Sequence, residues 1–254
     1  MCLINFQVGA HPNYKLIVAA NRDEFYGRPT ASAHFWKDEP KLLAGRDLKG
    51  MGTWLGVTKE GRFAALTNIR DPEEDMLDKK SRGEILRNYL TGEMRPELFL
   101  EDLKKEKDQY AGFNLLVGSP EKLFYFNNRK AQTETIKEGV HGLSNHYLNT
   151  PWPKVVKGKD MLKEYTTAHE KLEPEVLFEI LANSEEAPDE SLPQTGVGID
   201  FERKLSPLFI QTPDYGTRAS TVLLVDIKNN VTFIERTYNQ GELVGDEKFT
   251  FKIK

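Results

Sequence analysis

The sequence predicts an α+β fold built from layers of antiparallel sheet and helix. Two observations carry this. Short β-rich runs come in pairs around turn signals, as hairpins do. Helical patterns fall in blocks between those pairs and do not alternate with single strands, which argues against a doubly wound parallel sheet. The 254 residues show no internal repeat and no clean domain boundary, so 1–254 is read as a single domain with room for a sizeable core.

Taken in order, Cys2 to Val8 and Lys15 to Ala20 flank His11-Pro12-Asn13 and read as the first hairpin. Thr53 to Thr58 and Arg62 to Thr67 flank Lys59-Glu60-Gly61 as the second. Ser81, with Glu84 three residues on, resembles a capping box that starts a helix running to about Leu90. Leu98 to Tyr110 is a second helical pattern, rich in Lys and Glu. Phe113 to Val117 and Leu123 to Phe126 flank Gly118-Ser119-Pro120 as the third hairpin. Pro153 opens a helix to about Glu170 and Pro174 another to about Asn183, each with proline in its first turn. Ser184 to Gly198 is acidic and rich in Pro and Gly, and reads as a mobile loop. Thr221 to Asp226 and Val231 to Glu235 flank Lys228-Asn229-Asn230 as the fourth hairpin.

Composition narrows the function. A net charge of −4 with interspersed signs leaves no nucleic-acid footprint. The longest apolar runs, such as Leu16 to Ala20, are too short to span a membrane, so no stable membrane insertion is expected. A single Cys excludes an internal disulfide framework and suits a reducing compartment. With no secretory signal or organelle mark, a cytoplasmic location is expected. The five His residues include no pair at metal-ligand helical spacing, and neither a dinucleotide motif nor a P-loop occurs. No metal and no cofactor is therefore expected.

The single cysteine is Cys2, preceded by Met1 alone. Removal of Met1 would leave a thiol and a free α-amine on one residue, a complete nucleophile–base unit. The same Cys also reads as a small hydrophobe on a first strand. Asn21-Arg22-Asp23-Glu24 ends the second strand and so lies beside Cys2 in a hairpin. There, Asp23 can hold the α-amine and Arg22 can favour thiolate. Taken alone, those charges read first as a strand-end salt bridge with Arg28 or Arg46. Asn68 and Asn145 offer amide donors suited to an oxyanion, and both also fit ordinary turn chemistry. Arg218 can bind a substrate carboxylate or phosphate, or pair with Asp23. The tryptophans read as core or pocket wall.

These residues carry a resemblance. Met1-Cys2 followed by Asn21-Arg22-Asp23-Glu24 resembles the NRDE family, also called the transport and Golgi organisation 2 family. Further blocks agree, among them Gly50 to Gly56, Phe63 to Pro72, Ser81-Arg82-Gly83, Tyr110 to Leu115, Gly142 to Asn145, Pro151-Trp152-Pro153-Lys154 and Tyr215 to Ser220. That family is similar to the cysteine-type N-terminal-nucleophile hydrolases. The resemblance implies a four-layer αββα sandwich, two stacked and mainly antiparallel sheets flanked by helices. It implies Cys2 as nucleophile, Arg22 and Asp23 beside it, Asn68 and Asn145 as oxyanion or substrate donors, and Arg218 at the pocket.

Two functions are expected from this. The first is an amidohydrolase acting on a small linear amide or acyl conjugate. The second is a non-catalytic ligand-binding or trafficking protein for acyl-CoA, another lipid or haem. Substrate or ligand contacts are assigned to Asn21, Glu24, Trp54, Arg70 and His146.

Overall fold

The structure is a computed structural model and describes residues 2–254, so the expected removal of Met1 falls outside the described residues. β1 (Cys2–Val8) and β2 (Tyr14–Phe25) form the first hairpin, followed by β3 (Thr30–Phe35), β4 (Leu42–Asp47), β5 (Leu55–Thr58) and β6 (Phe63–Asn68). α1 (Arg82–Thr91) and α2 (Pro96–Lys105) lead to β7 (Phe113–Ser119), β8 (Lys122–Asn127), β9 (Gln132–Thr135) and β10 (Gly139–Leu143). α3 (Pro153–Ala168), α4 (Pro174–Leu181) and α5 (Ile199–Lys204) precede β11 (Tyr215–Asp226), β12 (Asn230–Asn239) and β13 (Glu242–Lys252).

The strands make two antiparallel sheets, one ordered β10-β1-β2-β11-β12-β13 and the other β3-β4-β5-β6-β7-β8-β9. Period-two alternation explains how they stack. On β1, Ile4, Phe6 and Val8 enter the core between the sheets, with Leu16 and Val18 of β2 and Val57, Phe63 and Leu116 of the other sheet. Leu3, Ile17 and Ala19 point the other way, onto Val155, Leu162, Leu177 and Phe178 of α3 and α4. The second sheet turns Ala64, Leu115 and Phe126 outward onto Leu86, Tyr89 and Leu103 of α1 and α2. The result is four layers in the order αββα, as expected. Both faces of each sheet are covered, so strands such as Leu16 to Ala20 are apolar at consecutive positions.

Several expectations are corrected. β3, β4, β9, β10, β13 and α5 were not anticipated. β9 is exposed throughout and β13 nearly so, and such edge strands lack apolar alternation. Ser81 is the N-cap of α1 but makes no side-chain cap bond, and Glu84 instead accepts the Tyr110 hydroxyl at 3.0 Å. The helix read as Leu98 to Tyr110 is shorter, and a 3-10 turn at Lys107–Gln109 follows it. The segment 184–198 is irregular but tethered: Ala187 N–H donates to Ser206 Oγ at 2.9 Å, and Thr195 N–H to Glu202 Oε1 at 2.9 Å. Among the described residues, no helix is long and apolar enough to cross a membrane.

Candidate active site

Cys2 opens β1, which lies between β10 and β2 in its sheet, and pairs in register with Arg22. Its side chain is on the same alternation as Ile4 and Phe6, and so faces the space between the sheets. There the layers part into a cleft of about 770 Å³ lined by Cys2, Arg22, Glu24, Trp54, Asn68 and Arg82, with other residues around them. That is a normal size for a small-molecule site. Burial pushes the Cys2 thiol up, and the Asp23 carboxylate adds to this. The Arg22 guanidinium and the backbone N–H of Asp23 act in the opposite sense, favouring thiolate.

Arg22 is held by a network. Its guanidinium is 3.4 Å from Thr30 Oγ1 and 3.6 Å from both the Glu24 and Asp47 carboxylates. Arg28 pairs with Asp47, and Asp47 also accepts the Gly50 N–H at 2.6 Å. The alternative salt bridge of the sequence reading thus forms in part: Arg28 joins the cluster, while Arg46 pairs with Asp38.

Asp23 follows Arg22 on β2, borders the cleft and is buried. Thr217 Oγ donates to its carboxylate at 2.8 Å, and the Tyr215 hydroxyl to its carbonyl at 2.9 Å. Burial pushes its carboxyl up. Among the charges that oppose this, Lys154 comes first. The expected Arg218–Asp23 pair does not form. A bulge between Thr217 and Ala219 leaves Arg218 out of register, and its guanidinium donates to the carbonyls of Phe25, Tyr26 and Arg28 at 2.9, 2.8 and 3.1 Å. Arg218 lines the cleft while clamping the β2–β3 turn.

Asn68 ends β6 on the other sheet and lines the cleft. Asn145 is buried behind it and does not line the cleft: its Nδ2 donates to the Asn68 carbonyl at 3.0 Å. Ser144 Oγ sits 3.0 Å from the Cys2 carbonyl and 3.1 Å from Asn145 Oδ1, linking Cys2 to Asn145. Trp54 and Glu24 line the cleft as expected.

Three expected contacts lie elsewhere. Asn21 points to the helix layer, donating to the Leu181 and Leu208 carbonyls at 2.9 and 2.8 Å, because it alternates with Arg22. Arg70 is buried in an ion pair with Glu202 at 2.5 Å and stacks over Trp152. His146 contacts Thr150 at 2.9 Å and stacks on Trp152.

Three residues escaped the sequence reading. Arg82 lines the cleft, donates to the Gly112 carbonyl at 3.0 Å, and is pushed down by burial. Glu235 also lines the cleft. It accepts the Ala33 N–H of the facing sheet at 2.6 Å, and burial raises it to about 7. Its signal was a carboxylate at an inward position after Val231 and Phe233. Lys154 is buried in the first turn of α3, where a cation opposes the helix dipole. That unfavourable position was its signal.

Residues 1–240 match the family model described as Transport and Golgi organisation 2. The chain is 37% identical over 259 residues to the Transport and Golgi organization protein 2 homolog of Bos taurus, covering 93% of each. It is 35% identical over 273 residues to the Homo sapiens homolog, covering 100% of this chain and 99% of that one. Among solved structures it resembles the C2A mutant of conjugated bile acid hydrolase from Clostridium perfringens. The TM-score is 0.50 at 11% identity, over 100% of this chain and 97% of the other. At that identity the likeness concerns the fold alone, the layered sandwich of two antiparallel sheets and helices described above.

Proposed function

The chain belongs to the transport and Golgi organisation 2 family, and from that premise we propose that it is a cysteine N-terminal-nucleophile amidohydrolase acting on a small linear amide or acyl conjugate. The observation that carries the reading is the thiol of Cys2 at a cleft wall, flanked by Arg22 and by the Asp23 backbone N–H, with Asn68 lining the same cleft. After loss of Met1, the thiol attacks the substrate carbonyl carbon while the Cys2 α-amine takes its proton. Asn68 and backbone N–H groups stabilise the oxyanion. The C–N bond then breaks, the leaving amine receives the proton, and water hydrolyses the thioester to free acid and thiol.

The test is intact mass before and after brief exposure to a thiol-directed electrophile at neutral pH, followed by amide and acyl-conjugate screening. The expected result is a mass short by one methionine, fast single-site modification, and turnover lost in Cys2→Ala. Asn68→Ala should cost on the order of 10²–10³ in kcat, as removal of one oxyanion donor does. Retained Met1 with a sluggish thiol, or full activity in Cys2→Ala, overturns the reading.

One observation favours a second reading. Arg22, Arg28, Arg82 and Arg218 all line the cleft, and burial disfavours the thiolate. A binding protein for acyl-CoA, another lipid or haem would use those cations on phosphate or carboxylate groups. Such binding survives Cys2→Ala and falls in Arg22→Ala; unchanged affinity in the arginine variant excludes it.

A further inference from the structure

Glu235 is a buried carboxylate that the chain leaves half-satisfied. It is 3% exposed and lines the cleft. Its Oε1 accepts the Ala33 N–H at 2.6 Å. Its Oε2 has no hydrogen bond or ion pair with any described residue. By contrast Glu24 and Asp47, which also line the cleft, are paired with Arg22 and Arg28. A buried carboxylate without a cation is costly. Register makes the place more negative still. Glu235 stands directly opposite Glu247 of β13, and Glu247 has no ion pair among the described residues either. Like charges directly opposite on neighbouring strands are destabilising. From the facing sheet, Ala33 of β3 and Gly45 of β4 approach Glu235 and bring no charge. A Cβ at Gly45 would stand 3.2 Å from Oε2, so the glycine keeps that oxygen accessible. Arg22 of β2 acts on Glu235 from a distance, but it is already held by Glu24 and Asp47.

The sheet also fixes how far this carboxylate lies from the thiol. Cys2, Arg22, Ala219 and Thr237 stand side by side on β1, β2, β11 and β12, and Glu235 is two residues from Thr237 on the same face. Three strand spacings and one step of two residues put Glu235 about 15 Å from Cys2. Both residues line the cleft, so a linear molecule can touch the two at once. We propose that Glu235 is the distal binding group of the cleft, and that the amide or acyl conjugate taken there ends in a protonated amine. The ammonium donates to Oε2 and supplies the cation that Glu235 and Glu247 lack, while the carbonyl lies at Cys2. The position of the carbonyl rests on the hydrolase reading above; the ammonium site does not. Burial raises Glu235 to about 7, and Glu247 adds to this. A bound ammonium acts in the opposite sense.

The test uses the full chain, whose single cysteine makes alkylation unambiguous by intact mass. Two N-alkyl iodoacetamides are compared, each with a saturated chain long enough to span Cys2 to Glu235. One chain ends in a primary amine and the other in methyl. At pH 8 the carboxylate is ionised and the amine protonated. The ratio of the two alkylation rates is internal to each protein, so a change in thiol reactivity cancels. In wild type the amine reagent is expected to react about tenfold faster, the effect of one charge-assisted hydrogen bond. In Glu235→Gln, which keeps an acceptor for the Ala33 N–H, the preference is expected to vanish. An amine reagent with half the chain length is expected to show no preference in either protein. Equal ratios in wild type and Glu235→Gln overturn the proposal. An inert wild-type thiol overturns the hydrolase reading, and the ammonium site is then read without it. The Glu235 carboxyl is titrated by carbon-13 NMR in wild type with and without octylamine. Its midpoint is expected to fall by about one pH unit, the equivalent of tenfold binding preference for the ionised form. An unmoved midpoint overturns the proposal, and a lowered one beside an inert thiol supports the ammonium site while the hydrolase reading fails.

Discussion

Glu235 shows how one inward carboxylate ties the two sheets at the cleft wall. Gly45 leaves the space it needs: a Cβ there would stand 3.2 Å from Glu235 Oε2. The register shift in β3 between Ala31 and His34 accompanies the free Ala33 N–H that Glu235 accepts. The unfolded carboxyl releases its proton near its ordinary value of 4.5 and the native one near 7. Between those values the native state binds more protons, so stability falls as pH rises through the window and is level above it. Glu235→Gln keeps an acceptor for Ala33 and does not titrate. Relative to that variant, wild type is expected to lose on the order of 1–3 kcal/mol between pH 4.5 and 7.5. Urea unfolding at both pH values checks this, and a constant difference would contradict it. At this scale the adjacency of Cys2 to Arg22 and Asp23 was legible, because hairpin register alone brings them together. Asn21 and Arg70 were misread because face and ion pairing depend on tertiary partners, namely the Leu181 and Leu208 carbonyls and Glu202.

Among the elements, α1 brings Ser81, Arg82 and Gly83 to the cleft only because the backbone at Gly52 comes very close to it. A Cβ at Gly52 would meet the Gly83 carbonyl carbon and oxygen at 2.3 Å, with no flexible side chain to give way. Thr53 N–H donates to the Gly83 carbonyl at 3.2 Å across the same contact. Gly52→Ala must therefore push the start of α1 away from the 50–54 segment. The expected cost is about 1–3 kcal/mol, the usual range for overpacking, read by urea unfolding. Cys2 alkylation kinetics should change with it, because Arg82 moves with α1. An unaltered unfolding midpoint would contradict this close contact. The glycine–tryptophan segment from Gly50 to Gly56 was visible in the sequence as a block, but its purpose was not. Close backbone approach leaves no compositional trace beyond the glycine itself. β9 and β13 were invisible for a related reason: edge strands with exposed polar side chains look like loops.

At the scale of the molecule, the layer order follows from strands whose consecutive residues are apolar, since only a sheet covered on both faces accommodates them. The hairpins and the helix blocks were therefore enough to predict layers. Which strand stacks over which was not encoded locally. It is decided by contacts between residues far apart in the chain, and the closing edge of the sandwich is the clearest case. β13, the last strand of one sheet, sits over β3, the first strand of the other. Phe35 of β3 meets Phe249 and Phe251 of β13 edge-on at 5.8 and 5.7 Å between ring centroids. Glu235 and Ala33 join β12 to β3 beside them, and Thr30, Ser32, Glu235 and Val244 from these strands line the cleft. This aromatic group therefore both closes the core and supports one wall of the site. Phe35→Ala removes the ring that Phe249 and Phe251 share. The expected loss is about 2–4 kcal/mol, slightly under the range for a fully buried Phe because Phe35 is half-buried. Phe35→Leu, which keeps most of the apolar volume, should recover much of it. Because the cleft wall rests on the same edge, hydrogen exchange in β12 and β13 should rise in Phe35→Ala while the β1–β2 hairpin stays protected. Uniform loss of protection across both sheets would show instead that the edge and β1 open as one unit.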